Sequence, residues 1–459
     1  MPAEKKPIRF NAFIMNTVGH QSPGLWTHPE DRSADYRHTE YWTELARLLE
    51  GGLFDGIFIA DVMGVYDVYG SGPDTAIRHA VQIPTNDPML VIPVMAAATR
   101  HLGYGVTFSL TYEHPYPFAR RMSTLDHLTK GRVGWNIVTG YLESAAKNLG
   151  MPAQIAHDDR YDLAEEYMEV LYKLWECSWE EGAVVRDKRN GIFTDPSKVH
   201  PVNHKGRHFT VPGIHLCEPS PQRTPVLYQA GASSRGMSFA GRHAECIFMS
   251  GPSKIIIQRY VEGTRAALGA AGRASEDAVI YAQALVVTGR SEAEAKEKYN
   301  EYCAHTNTDA SLALLSGWTG IDFSRCDPGA TLEYVENDAG RTALASFTKS
   351  DPNRKWTVRE AARFVALGGR GPVFVGSASQ VADEMESWVD ETGIDGFNLA
   401  FAVSPGTFRD IVEYIVPELQ GRRRYRTEYS EGTLREKLFR RGAKLPENHV
   451  GRKTKLVAP

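Results

Sequence analysis

Eight short apolar runs, alternating with segments of helical periodicity, constrain the fold of this chain more than any other feature. The runs occupy residues 8–13, 55–61, 103–109, 132–139, 225–230, 244–249, 278–288 and 396–403. Amphipathic segments at 41–50, 89–99, 117–128, 160–175, 235–242, 254–271, 292–302 and 379–391 alternate with them. Within the runs the apolar residues are nearly continuous, as in strands buried on both faces of a parallel sheet. Strand and helix in alternation predict an α/β architecture. Eight such units fit a closed (β/α)8 TIM barrel better than an open doubly wound sheet, which has fewer strands.

Four stretches interrupt the rhythm, at about 62–88, 140–159, 180–222 and 307–376. Loops of this length inside a compact domain serve as lids or binding loops, and those that follow barrel strands reach the active-site face. The expected organisation is one barrel over 1–421 with these insertions, then a C-terminal arm over 422–459. That last segment opens with the basic run RRRYR, and a subunit-embracing arm and a solvated tail are both open readings of it.

Composition excludes several classes. A formal charge of −4 over 459 residues gives no nucleic-acid footprint. No apolar run approaches the roughly 20 residues of a membrane span, and the N-terminus lacks the apolar core of a signal peptide. The five cysteines (Cys177, Cys217, Cys246, Cys303, Cys326) are odd in number and scattered. A cytoplasmic protein that binds neither membrane nor nucleic acid is the expectation.

The strongest local signal is QAGASSRG, residues 229–236. It closes an apolar strand with small residues and then opens a helix. Bare amides at Gly231 and at a helix N-terminus, with the hydroxyls of Ser233 and Ser234, make a phosphate cradle, while the same residues also suit a capped Gly-rich turn. It is no serine-hydrolase elbow, since the second glycine falls one residue late for G-x-S-x-G. Asp61 ends the second run, where a barrel points side chains at its ligand. His157 and Tyr161, four residues apart, share a face if the helix begins early. His200 and His204 have zinc-like spacing, but Pro201 and the lack of a third ligand favour a structural role, and no metal is expected. GGRGPVFVG around Gly368 lacks the third glycine of a dinucleotide fingerprint and reads as a turn. The Glu165/Glu166 pair belongs to an exposed helix face and gives no glycosidase signal.

Several longer segments resemble one known family. NAFIMNTVGHQSPGLW, DGIFIADVMGVYDVYG, RRMSTLDHLTKGRVGWNIVTGYLESAAKNLGM, HDDRYDLAEEYMEVLYKLW and CEPSPQRTPVLYQAGASSRG look like the NtaA/SnaA/DszA group of luciferase-like flavin monooxygenases. That group includes nitrilotriacetate, dibenzothiophene sulfone, long-chain alkane and dimethylsulfide monooxygenases. The resemblance runs from about residue 8 to residue 438. It implies FMN that arrives reduced from a separate NAD(P)H:flavin reductase, O2 as co-substrate, a small organic substrate, and a homodimer or homotetramer. The missing dinucleotide fingerprint agrees with that division of labour.

By motif, Asp61, Thr107, His157, Tyr161 and Ser233 match the family's flavin-binding positions, with Ser234 and the amides near Gly231 completing the phosphate site. His20, Tyr66 and Gln82 match positions tied to activity in the alkane enzyme, and Tyr141 joins them as a candidate for proton control. Three residues depart from the alkane pattern: Thr17 for a Cys, and Tyr141 and Leu314 each for a His. SGWTGIDF, ENDAGRT, KWTVRE and DGFNLAFAVSPG are closer to the dimethylsulfide enzyme, whereas RTEYSEGTLREKLF is equally like the alkane and sulfone enzymes. An organosulfur substrate such as dimethyl sulfide is the expectation, with long-chain alkanes, sulfones and aminopolycarboxylates as alternatives. Two other classes stay open on the same barrel: a flavin- or deazaflavin-dependent dehydrogenase, and a non-catalytic flavin-binding protein.

Overall fold

A computed structural model of the chain describes residues 6–231, 233–333, 341–348, 350–351 and 353–456. Ala232 and most of the ENDAGRT segment lie outside the described residues. Eight parallel strands close on themselves: β1 (Arg9–Met15), β2 (Gly56–Ala60), β3 (Gly103–Ser109), β4 (Val133–Val138), β5 (Val226–Ala230), β6 (Cys246–Met249), β7 (Val279–Gly289) and β8 (Gly396–Ala400). Each pairs with its sequence neighbour, and β8 returns to β1 in the register Arg9↔Gly396. All eight fall on the eight apolar runs, and the architecture is a (β/α)8 barrel.

The covering helices are α1 (Thr39–Gly51), α2 (Ile92–Ala97), α3 (Pro115–Leu128), α4 (His157–Tyr172), α5 (Ser234–His243), α6 (Lys254–Ala270) and α7 (Ala378–Thr392). The eighth, α8, runs through Gly406–Asp410, Ile411–Ile415 and Val416–Gly421. Outward strand residues such as Phe10, Ile57, Tyr104, Trp135 and Phe397 pack on these helices. The alternate, inward set fills the barrel with Phe13, Phe58, Tyr228, Cys246 and Tyr281. This period-two split explains why the runs carry almost no polar punctuation.

One strand was not expected. After the Gly368–Gly369 turn, where φ is 80° and 72°, Val373–Ser377 pairs in parallel with the C-terminal half of β7, Leu285↔Val373 to Gly289↔Ser377. GGRGPVFVG is therefore a turn only in its first half. Its apolar part is too short to register as a strand, and the surplus length of β7 supplies its partner.

The insertions after β2, β4 and β7 build a second apolar cluster above the barrel. Tyr66, Leu142, Leu314, Trp318, Phe347 and Trp356 belong to it, and the helix Thr308–Thr319 forms its spine. At the opposite end, the segment after Arg422 folds back beneath its own barrel. Tyr425 and Tyr429 donate to the carbonyls of Leu53 and Phe54 at 2.8 and 2.6 Å. A short helix, Leu434–Phe439, inserts Leu434 and Leu438 against the inward residues. Three arginines of the basic run are paired there: Arg422 with Glu418 and Glu386, Arg424 with Asp390, and Arg426 with Asp55. The solvated reading of the tail gives way to this. No helix among the described residues is long and apolar enough to cross a membrane.

Candidate active site

Two cavities open at the C-terminal mouth of the barrel. The larger, about 290 Å³, is walled by the ends of β4, β5 and β6 and roofed by the second cluster; Tyr141, His157, Tyr161, Gly231, Ser233 and Arg370 line it. The smaller, about 70 Å³, is lined by Asp61, Met63, Ser109, Tyr112 and Leu142. Val138, Gly140 and Tyr141 line both, so Tyr141 stands at their junction.

The cradle occupies one side of the larger cavity. Ser233 caps α5, its Oγ accepting from the Gly236 amide at 3.1 Å, so the hydroxyl proton is left to donate. A Cβ at position 231 would lie 2.7 Å from Gln229 Nε2, and one at 236 would lie 2.9 Å from the Tyr161 hydroxyl. Glycine at both places lets a ligand reach bare backbone, as phosphate binding at a helix N-terminus requires. Gln229 Oε1 is buried with no partner among the described residues, a polar atom still to be satisfied. The helix α4 begins at His157, which sets His157 and Tyr161 edge to face at 5.4 Å. Burial raises the Tyr161 phenol above its ordinary range, with a Ser233 hydrogen bond acting the other way. These features fit the phosphate of a flavin mononucleotide.

On the facing wall a polar chain runs inward from Tyr141. Gln82 Nε2 donates to the His20 carbonyl at 2.9 Å, which turns its Oε1 toward Tyr66. The Tyr66 hydroxyl spends its single proton on that Oε1 at 3.0 Å. The 2.8 Å contact between the two phenols must then carry the Tyr141 proton to the Tyr66 oxygen. Tyr141 therefore presents oxygen lone pairs, an acceptor, to the cavities. Burial pushes Tyr141 up to about 12 and Tyr66 well above the usual phenol range, so both stay neutral.

Burial, aided by the Asp87 carboxylate, pushes Asp61 up to about 7. Such an acid keeps its proton in the folded chain after the unfolded chain, titrating near 3.8, has lost it. Stability therefore falls as pH rises from about 4 to about 7 and levels off above. Asp61→Asn is expected to flatten that slope. Urea midpoints at about pH 5 and about pH 8 should differ less in the variant than in the parent; an unchanged difference would dismiss the shift.

The other expected residues fall at varied depths. Thr107 points into the barrel below the cavities, its Oγ1 accepting from Asn136 Nδ2 at 2.9 Å. Ser234 is exposed at the first turn of α5 and lines neither cavity. His20 and Gln82 are buried behind the walls. Burial drops His20 to about 3, and its ring lies edge-on to Phe13 at 4.5 Å, so it stays neutral throughout the working range. Leu314 is fully buried in the roof, while Thr17 donates to the Pro84 carbonyl at 2.6 Å. His204 sits between Glu166 at 3.2 Å and Lys173 at 3.1 Å, a structural role. Three residues were missed, namely Arg370, Trp318 and Gly317. The insertion that carries them has no strand or helix signature of its own, and only an arginine among glycines at 368–371 hinted at one of them.

The sequence pattern of the luciferase-like monooxygenase family matches residues 13–396. The dimethyl-sulfide monooxygenase of Hyphomicrobium sulfonivorans is 54% identical over 435 residues, 95% of this chain and 91% of that protein. The long-chain alkane monooxygenase of Geobacillus thermodenitrificans is 50% identical over 446 residues, 97% of each. A solved riboflavin lyase with modified FMN and riboflavin superposes at a TM-score of 0.92 with 36% identity, over 98% of this chain and 100% of that one.

Proposed function

The chain belongs to the family of luciferase-like monooxygenases, and from that premise we propose that it is the FMN-dependent oxygenating half of a two-component system acting on a small organosulfur compound such as dimethyl sulfide. The observation that carries this reading is the pairing of a phosphate cradle in one cavity with a small apolar chamber beside it. At about 70 Å³ the chamber has the volume of roughly two water molecules. A molecule of a few heavy atoms suits it and an extended alkane does not. The similarity to the dimethyl-sulfide enzyme supports the same choice.

Bound FMN, once reduced, supplies the electrons that activate O2. Ser233, Tyr161, His157 and the Gly231 amide would hold its phosphate, Asp61 would face its ring, and Thr107 with Asn136 would support the barrel floor beneath it. Tyr141 offers a fixed acceptor to a protonated group at the junction of the cavities. Tyr66 and Gln82 hold that acceptor in place through hydrogen bonds buried in the walls. The aromatic roof excludes water, which reactive oxygen chemistry requires. No dinucleotide fingerprint accompanies the cradle, so the electrons come from a separate NAD(P)H:flavin reductase. The five free cysteines suit a reducing cytoplasm, and a homodimer or homotetramer is the assembly we assign.

Photoreduced FMN, O2 labelled with heavy oxygen, and a panel of sulfides, alkanes, sulfones and aminopolycarboxylates provide the test. Mass spectrometry should find one labelled oxygen in the product of a small sulfide. Hydrogen peroxide alone with every compound would end the monooxygenase reading. Ser233→Ala is expected to weaken FMN about tenfold, or 1.4 kcal/mol; undiminished affinity would remove the cradle.

A further inference from the structure

The guanidinium of Arg370 lines the larger cavity, and no carboxylate among the described residues faces it. Its neighbours are the Trp318 indole, 5.4 Å from guanidinium carbon to ring centroid, and the phenols of Tyr66, Tyr141 and Tyr260. Those groups are neutral. The backbone beneath it is fixed: the Gly368 amide donates to Ser22 Oγ at 3.1 Å, and its carbonyl accepts from Gln283 Nε2 at 2.7 Å. A Cβ at 369 would lie 2.0 Å from Gln21 Oε1, and one at 371 would lie 2.4 Å from the Gln283 carbonyl oxygen. These contacts fix the backbone that carries the side chain over the cavity. A cation held in a cavity without a counter-ion costs several kcal/mol, which a bound anion offsets.

The two sides of the cavity divide its cations. Arg160 and Arg235 act on Tyr161 at the cradle, whereas Arg370 acts on Tyr66 and Tyr141 across from it. On the cradle side Arg235 is already paired with Asp162 and Arg160 donates to the Ile155 carbonyl at 2.8 Å, so Arg370 is the cation that stands toward the other end of the ligand. We propose that Arg370 is the counter-charge for the anionic, reduced isoalloxazine ring of FMN, and that it biases the site toward the reduced cofactor. This rests on reading the cavity as the FMN site. The oxidised ring is neutral and gains little from the same guanidinium, so the pairing discriminates between redox states.

Anaerobic titration of parent, Arg370→Met and Arg370→Lys proteins with oxidised and with reduced FMN tests this. Arg370→Met should weaken reduced FMN about tenfold while oxidised FMN changes less than about twofold. The midpoint potential of bound FMN should fall by about 30 mV to match. Arg370→Lys, which keeps the charge, should lie between parent and Met. Equal weakening of both redox forms would make Arg370 a phosphate or structural residue and overturn the proposal. So would unchanged affinity for both with a raised KM for substrate, which would assign the cation to substrate. A parent protein that binds neither form overturns the FMN reading itself, an outcome distinct from either.

Discussion

Replacing Gly317 by alanine is expected to lower turnover about 100-fold while leaving FMN affinity close to that of the parent. Gly317 lies in the roof helix Thr308–Thr319, directly over the Tyr66 ring. A Cβ there would sit 1.8 Å from Tyr66 Cδ1 and 2.5 Å from Cε1. Carbon atoms pack at about 3.5–4.0 Å, so the helix or the ring must move by more than an ångström. The helix is hemmed in by Leu314, Leu315 and Trp318, all buried in the second cluster. The ring yields, and its movement breaks the hydrogen bonds to Gln82 and Tyr141 that orient the acceptor at the junction of the cavities. Overpacking costs about 1–3 kcal/mol, partly offset by the better helix propensity of alanine, about 1 kcal/mol. The variant should therefore fold. Steady-state kinetics with FMN titrations checks this, and a full kcat would show that Tyr66 does not orient the site.

Arg435→Met is expected to destabilise the protein by about 3–5 kcal/mol. The Arg435 side chain is 2% exposed and grips Glu245, 3% exposed, with Nε–Oε1 at 2.7 Å and Nη2–Oε2 at 2.8 Å. Its remaining donors reach the carbonyls of Ala443 at 2.7 Å and Thr224 at 2.9 Å. The guanidinium holds the Glu245 carboxyl below its usual range despite complete burial. Without it the carboxylate is left buried, held by the Leu227 amide at 3.1 Å but with no cation against it among the described residues. Removing both partners should cost far less than removing one, because the penalty is that of an uncompensated charge. Urea unfolding of Arg435→Met beside Arg435→Met/Glu245→Leu measures the difference. A single variant within about 1 kcal/mol of the parent would mean that water reaches the pair.

The strands were legible because each is buried on both faces and therefore reads as a run of apolar residues. The strand Val373–Ser377 was not, because its identity depends on β7 being long enough to pair with it. The cradle was legible because its parts are contiguous: a strand end, small residues and a capped helix within eight positions. The facing wall was legible in part: motif named Tyr66 and Tyr141, but not Trp318 and Arg370, because the wall draws on three loops more than 300 positions apart at the extremes. Sequence motif named Tyr66, Gln82 and His20 together. The fold adds a direction, with Tyr141 toward the cavities and His20 away from them. Gly317 lies within SGWTGIDF, but its role was not legible there, since a glycine in a helix is informative only once the ring it admits is known.

The closure of β1 on β8, with the segment 422–440 folded beneath the barrel, bears on how the protein is made. Arg9 meets Gly396, and the Ile8 amide donates to the Arg424 carbonyl at 2.6 Å. A ribosome adding about 5–20 residues per second takes roughly 20–80 s to connect these partners. For that interval the nascent chain carries an open, edge-exposed sheet whose first strand is paired on one side alone. Premature termination anywhere before the Leu434–Phe439 plug yields a species with an unsealed, apolar base, the kind of surface on which chaperones act.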